Sequence, residues 1–131
     1  MTQPTSKQPT GIKLRTKSKT LELEYDGGER YALSCEYLRV YSPSAEVKGH
    51  GPNQEVLQAG KIDVSISAIK PVGNYALQLV FDDGHDTGLY SWSYLYDMCV
   101  HQAEWWQIYL DRLQEAGEGR DPSVQVIKLG L

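Results

Sequence analysis

The densest group of potential metal donors in this sequence is Asp82-Asp83-Gly84-His85-Asp86. Carboxylates and an imidazole can ligate a divalent ion when a short loop turns them toward one point. The plainer reading is a hairpin turn, since Asp-Gly is the ordinary signal for one and Asp and His are common turn residues. His50 lies between Gly49 and Gly51. Those glycines would let the backbone approach a ligand closely, and an exposed loop histidine is the alternative. If the chain holds a metal, the sequence expects weakly bound iron or zinc centred on His85, with Asp82, Asp83, Asp86 and His50 as co-ligands. His101 falls in a helical segment and reads as a surface or partly packed residue.

Nucleophilic catalysis needs a Ser or Cys beside a base that a third group orients. The only cysteines, Cys35 and Cys99, stand among apolar neighbours, as small buried hydrophobes do. G-x-S-x-G, P-loop, G-x-G-x-x-G and H-E-x-x-H patterns are all absent from the sequence. The chain is therefore expected not to be an enzyme. Tyr90, Trp92, Tyr94, Tyr96, Trp105 and Trp106 form an aromatic group that serves either as core or as a recognition surface. Trp92 and Tyr90, with Arg39, are the candidate partner-binding residues.

These residues need a scaffold, and 131 residues suit one domain. A hydrophobic content of 40%, with three Trp and nine Tyr, supplies a core without disulfides or an obligatory metal. Two isolated cysteines suggest a reducing compartment, and no apolar run approaches the roughly 20 residues of a membrane span. The N-terminus lacks the apolar stretch of a signal peptide, so a cytoplasmic location with no membrane contact is expected. Net charge is −4, yet residues 1–20 hold five Lys/Arg and no acid, leaving eight basic against seventeen acidic residues. So acidic a body does not grip a phosphate backbone, and a protein partner is expected rather than nucleic acid.

Along the chain, residues 1–11 read as a disordered basic tail. Leu21 to Tyr25 alternates apolar and charged residues, and Asp26-Gly27-Gly28 turns the chain into Arg30–Leu33, which predicts a β-hairpin. Cys35–Tyr41 fits one or two helical turns stopped by Pro43. Residues 42–61, rich in Gly and Pro, read as a long loop that is either partner-binding or mobile. Strands are expected over Ile62–Ile69 and Tyr75–Phe81, turned at Pro71–Asn74 and continued by Thr87–Tyr90, in one antiparallel meander joined to the first hairpin. Ser91 is a suitable N-cap for one or two helices that end near Gly117 and lay an apolar stripe across the sheet. The fold class is α+β, with the domain over residues 12–117 and a C-terminal tail over 118–131.

The run Leu38-Arg39-Val40-Tyr41-Ser42-Pro43-Ser44-Ala45-Glu46-Val47, then Gly49-His50-Gly51 and Phe81 to Trp92, resembles the gamma-butyrobetaine hydroxylase-like N-terminal domain, also called the domain of unknown function 971 family. The resemblance covers Ile12 to Leu113. It implies a module that, in gamma-butyrobetaine and trimethyllysine hydroxylases, precedes an iron- and 2-oxoglutarate-dependent catalytic domain, which is expected to be missing here. It also implies a structural zinc on three cysteines, in a pattern like L-R-x-x-C-x-C-x-x-C, and a later histidine. Those positions fall on Ser42, Ser44, Val47 and His85, so two hydroxyls and an isopropyl group replace three thiolates and the sulfur-rich site is expected to be missing. Similar domains are attached to P-loop iron–sulfur carrier proteins, which associates the family with iron metabolism. The resulting expectation is a non-catalytic accessory or protein-interaction domain, with a metal-binding protein as the alternative.

Overall fold

A computed structural model describes residues 7–49 and 54–124, and shows an α+β architecture of two three-stranded antiparallel sheets with helices between and after them. The first sheet runs β1 (Gly11–Arg15), β2 (Thr20–Glu24) and β3 (Arg30–Ser34), with β2 central. The period-two alternation works as the sequence predicts. Leu21 and Leu23 of β2 point inward and are fully buried, as is Leu33, which pairs with Leu21. Asp26–Gly28 forms a 3-10 turn in which Gly27 and Gly28 take φ of 85° and 86°, a region costly for residues with a Cβ.

The second sheet holds β4 (Ile66–Val72), β5 (Ala76–Phe81) and β6 (Leu89–Ser91), with β5 central. Two points correct the sequence reading. The strands form two sheets rather than one continuous meander, because β3 feeds directly into a helix instead of pairing onward. The strand expected over 62–69 begins only at Ile66: Val64 N–H donates to Lys61 O at 3.1 Å in a turn, and Ser65 N–H donates to an Asp82 carboxylate oxygen at 3.0 Å. Pro71 lies inside β4, which is tolerable because β4 is an edge strand and no ladder donor is lost.

Serines open three helices. Ser34 accepts from Tyr37 N–H at the start of α1 (Cys35–Val40), Ser44 from Glu46 N–H at α2 (Ala45–Lys48), and Ser91 from Tyr94 N–H at α3 (Trp92–Val100). His101, at φ −105°, breaks the helical path before α4 (Gln102–Ala116), and Gly117 closes α4 at φ 69° with Glu118 N–H donating to Leu113 O. None of these helices is long and apolar enough to cross a membrane.

One core joins the two sheets and the helices: Leu21, Leu23 and Leu33 meet Leu77, Leu79 and Phe81 through Tyr37, Leu38, Leu95 and Met98. Tyrosine hydroxyls fasten its edges. Tyr37 donates to Met98 O at 2.8 Å, and Tyr90 to Leu38 O, Tyr94 to Tyr41 O and Tyr41 to Trp105 O, each at 2.6 Å. They lock α1 and the segment after it against α3 and α4. Of the expected N-terminal tail, residues 7–11 are described. Lys7 pairs with Glu29, Thr10 N–H donates to Glu24 O, and Gly11 already opens β1. Residues 118–124 of the expected C-terminal tail lie along residues 60–62, where Gly60 N–H donates to Gly119 O and Ile62 N–H to Arg120 O.

Candidate functional site

The Asp82–Asp86 turn folds inward on one residue, His85. Its imidazole is buried, with Nδ1 3.0 Å from a Glu46 carboxylate oxygen and Nε2 2.8 Å from Ser42 Oγ. The carboxylate acceptor fixes the tautomer: Nδ1–H donates to Glu46, and bare Nε2 accepts from the Ser42 hydroxyl. Burial, followed by the Arg39 guanidinium, holds the ring below the ordinary histidine pKa despite the opposing pull of Glu46 and Asp83.

Ser42 Oγ also accepts from Ser44 N–H at 3.2 Å. Ser44 Oγ, besides capping α2, lies 2.7 Å from Thr87 Oγ1, which donates to Glu46. Gly88 passes so close to Ser42 that a Cβ there would overlap its hydroxyl. This cluster is a closed hydrogen-bond lattice around Ser42, Ser44 and His85, with Val47 buried nearby on α2.

Asp83 is likewise occupied. Its Oδ2 accepts from Arg39 Nε at 2.8 Å and Lys61 Nζ at 2.7 Å, and its Oδ1 from His85 N–H at 3.1 Å. Burial pushes its carboxyl pKa up, but the donors outweigh that and bring it to about 2. Asp82 bonds the Ser65 backbone. Asp86 is exposed, and its carbonyl accepts from Gln78.

His50 lies outside the described residues. Among the described residues, no three His, Cys, Asp or Glu side chains gather as a metal site would require. The positions that the family resemblance makes zinc ligands do come together, but as Ser42, Ser44, Val47 and His85. Two hydroxyls already engaged in hydrogen bonds and an isopropyl group do not suit zinc, which takes thiolate, imidazole or carboxylate.

Two of the three expected partner-binding residues are buried. Tyr90 is 0% exposed and fills the core, because β6 directs it inward and its hydroxyl seeks Leu38 O. Arg39 is buried too, drawn down to Asp83. Trp92 is partly buried and donates its indole N–H to Asn74 O.

One open feature adjoins this cluster, since Ser42 also lines it. A groove of about 280 Å³ runs between α4 and the irregular segment 55–58, floored by the end of α1 and by α2. Tyr41, Tyr94, Trp105 and Tyr109 give it aromatic walls, and Val47, Val56, Leu57 and Ile108 add aliphatic ones. Tyr41 and Trp105 rings stand 5.5 Å apart, and Trp105 stacks on His101 at an interplanar angle of 8°. Tyr109 ties the outer wall down by donating to Gln58 O at 2.6 Å. Lys48, Arg112 and Glu55 supply its charges.

Two signals for this groove stand in the sequence, the aromatic group that includes Tyr94 and Trp105 and the long 42–61 segment. Arg112 and Tyr109 carry no such signal, because only the packing of α4 against residues 55–58 brings them into register.

Comparison with known proteins gives a consistent result. The family model described as gamma-butyrobetaine hydroxylase-like, N-terminal, matches residues 12–96. Two NMR solution structures are similar to this chain. One is 49% identical, covers 97% of this chain and 100% of its own, and has a TM-score of 0.82. The other is 51% identical, with 100% of both chains covered and a TM-score of 0.76. A crystal structure of a protein with unknown function from Acidithiobacillus ferrooxidans ATCC 23270, of the domain of unknown function 971 family, is 38% identical. It covers 67% of this chain and 88% of its own, with a TM-score of 0.56. No curated protein matches.

Proposed function

The chain belongs to the gamma-butyrobetaine hydroxylase-like, N-terminal family, and from that premise we propose that it is a non-catalytic accessory domain that docks a protein partner in the groove between α4 and residues 55–58. The observation that carries this reading is the groove itself, an aromatic and aliphatic channel held open by tyrosine hydroxyls that bond backbone carbonyls within the domain. Its volume lies just under the roughly 300–1,000 Å³ of small-molecule pockets and suits one or two inserted side chains. Val56 and Ile108, 52% and 44% exposed on its two banks, are the apolar surface that a partner would cover.

The non-catalytic part rests on the state of the nucleophiles. Ser42, His85 and Glu46 line up as hydroxyl, imidazole and carboxylate, but Ser42 is 0% exposed and a substrate carbon cannot reach its oxygen. Both thiols are buried, and burial raises their pKa, that of Cys99 to about 12, away from the thiolate form that attacks.

A photo-crosslinking amino acid at Ile108, expressed in the native host, tests the reading against the same group at Lys70 on the exposed edge of β4. A discrete protein adduct at Ile108 and none at Lys70 is the expected outcome. Identical adduct patterns from both positions would remove the groove as the docking site.

A further inference from the structure

Building on that reading of the groove, we infer the chemistry of its occupant: an acidic segment of a partner protein, anchored by an apolar side chain. The inference starts from where the cations lie. After residue 20 the sequence sets eight basic residues against seventeen acidic ones, so a free positive charge is scarce on this body.

Seven of those cations are described. Arg30 meets Glu24, Arg39 and Lys61 share Asp83, and Arg120 meets Glu36. Lys48, Lys70 and Arg112 form no ion pair among the described residues, and two of these three, Lys48 and Arg112, line the same groove. Glu55 is the carboxylate among the groove's lining residues, so cations prevail there two to one.

Placement strengthens the point. Lys48 Nζ lies 4.7 Å from the centroid of the Tyr94 ring, which holds the ammonium at the groove wall by a cation–π contact. Arg112 follows Ile108 by four residues on α4, so its guanidinium stands one turn along from the apolar bank. Tyr41 and Tyr94 spend their hydroxyls on backbone carbonyls and offer ring surface to an incoming side chain. Apolar walls bordered by two unpaired cations complement a peptide with an aromatic or branched residue beside carboxylates. A basic or phosphate-seeking partner would meet the wrong sign.

Selection from a library of random dodecapeptides on the immobilised full chain tests this. Sequences that pair Asp or Glu with a large apolar residue should be enriched. Binding of the enriched peptides, followed by fluorescence anisotropy, should weaken at higher salt and fall about tenfold in the double variant Lys48→Glu/Arg112→Glu. Lys48→Gln/Arg112→Gln should show a smaller loss, and amide NMR spectra of both variants establish that the fold is kept. Neutral or basic winners that lose binding on Ile108→Asp would overturn the acidic occupant while leaving the groove as the docking site. Winners indifferent to all three variants, or no enrichment, would overturn both.

Discussion

His85 Nε2 and Ser42 Oγ meet at 2.8 Å, both residues buried, with the imidazole's other nitrogen on the exposed carboxylate of Glu46. The hydroxyl serves two partners there, donating to His85 and accepting from Ser44 N–H. Ser42→Ala therefore leaves a buried ring nitrogen and a buried amide without partners. A loss of about 2 kcal/mol is expected, since an unsatisfied buried polar group costs roughly 1–3 kcal/mol. Urea unfolding measures it, and a loss below about 0.5 kcal/mol would show that the lattice is dispensable.

The same histidine makes stability depend on pH. Its ring is harder to protonate folded than unfolded, from burial first and Arg39 second. Below the ordinary value of 6.5 the unfolded chain therefore binds more protons, and stability rises with pH in that window. Stability should be full above about 6.5 and decline as the solution is acidified from there. Asp83, held at about 2 against an ordinary 3.8, adds a second loss below 3.8. In urea titrations, His85→Gln should flatten the slope between pH 7 and 5, leaving the more acidic decline in place. An unchanged slope between pH 7 and 5 would refute the assignment to His85.

Two glycines of one turn region separate steric from conformational cost. A Cβ at Gly88 would overlap Ser42 Oγ and come within 3.2 Å of the Tyr90 ring, both fully buried. Gly84 has nothing within 4 Å of a built Cβ, but its φ is 91°. Gly84→Ala should cost about 1 kcal/mol, the usual penalty of a positive φ for an L-residue. Gly88→Ala should cost about 2–3 kcal/mol from overpacking. The double variant Gly88→Ala/Ser42→Gly removes the hydroxyl in the way, and thermal unfolding should show it losing less than the two single variants summed, because both act at one site. Fully additive losses would place the clash elsewhere.

How much of this was legible beforehand depends on the range of the interaction. The hairpin β2–β3, the Ser91 cap and the Gly117 stop follow local rules, and each lies where the residues predict it. β1 has only Ile12 and Leu14 as alternating apolar residues among Lys and Arg, and it becomes a strand by pairing with β2. Alternation marks a strand but not its neighbour, so the split into two sheets was hidden. The meeting of Ser42 with His85, 43 residues apart, was legible only through family resemblance. Tyr90 and Arg39 were candidates for partner binding, and the acceptors at Leu38 O and Asp83, distant in sequence, explain their burial.

The segment after α4 is fixed to the domain by charge. Arg120 donates two hydrogen bonds to Glu36, at 2.7 and 2.8 Å, and its guanidinium lies 5.1 Å from the Trp106 ring centroid. Glu36 is buried, whereas Arg120 is partly open to solvent, so the two single substitutions should differ. Arg120→Ala leaves a carboxylate buried without its counter-ion and should cost about 2 kcal/mol, below the 3–5 kcal/mol of a fully enclosed pair. Glu36→Gln leaves an arginine that can turn to water, and should cost about 1 kcal/mol. The double variant should be more stable than Arg120→Ala alone, because a neutral amide tolerates the buried position better than an unpaired charge. Hydrogen exchange at the Gly60 and Ile62 amides reports the local effect, since both donate to the segment that Arg120 anchors. Exchange there should quicken in Arg120→Ala while the β2 amides stay protected. Equal acceleration across the domain would mean that the ion pair supports the whole fold, and no acceleration that it supports neither.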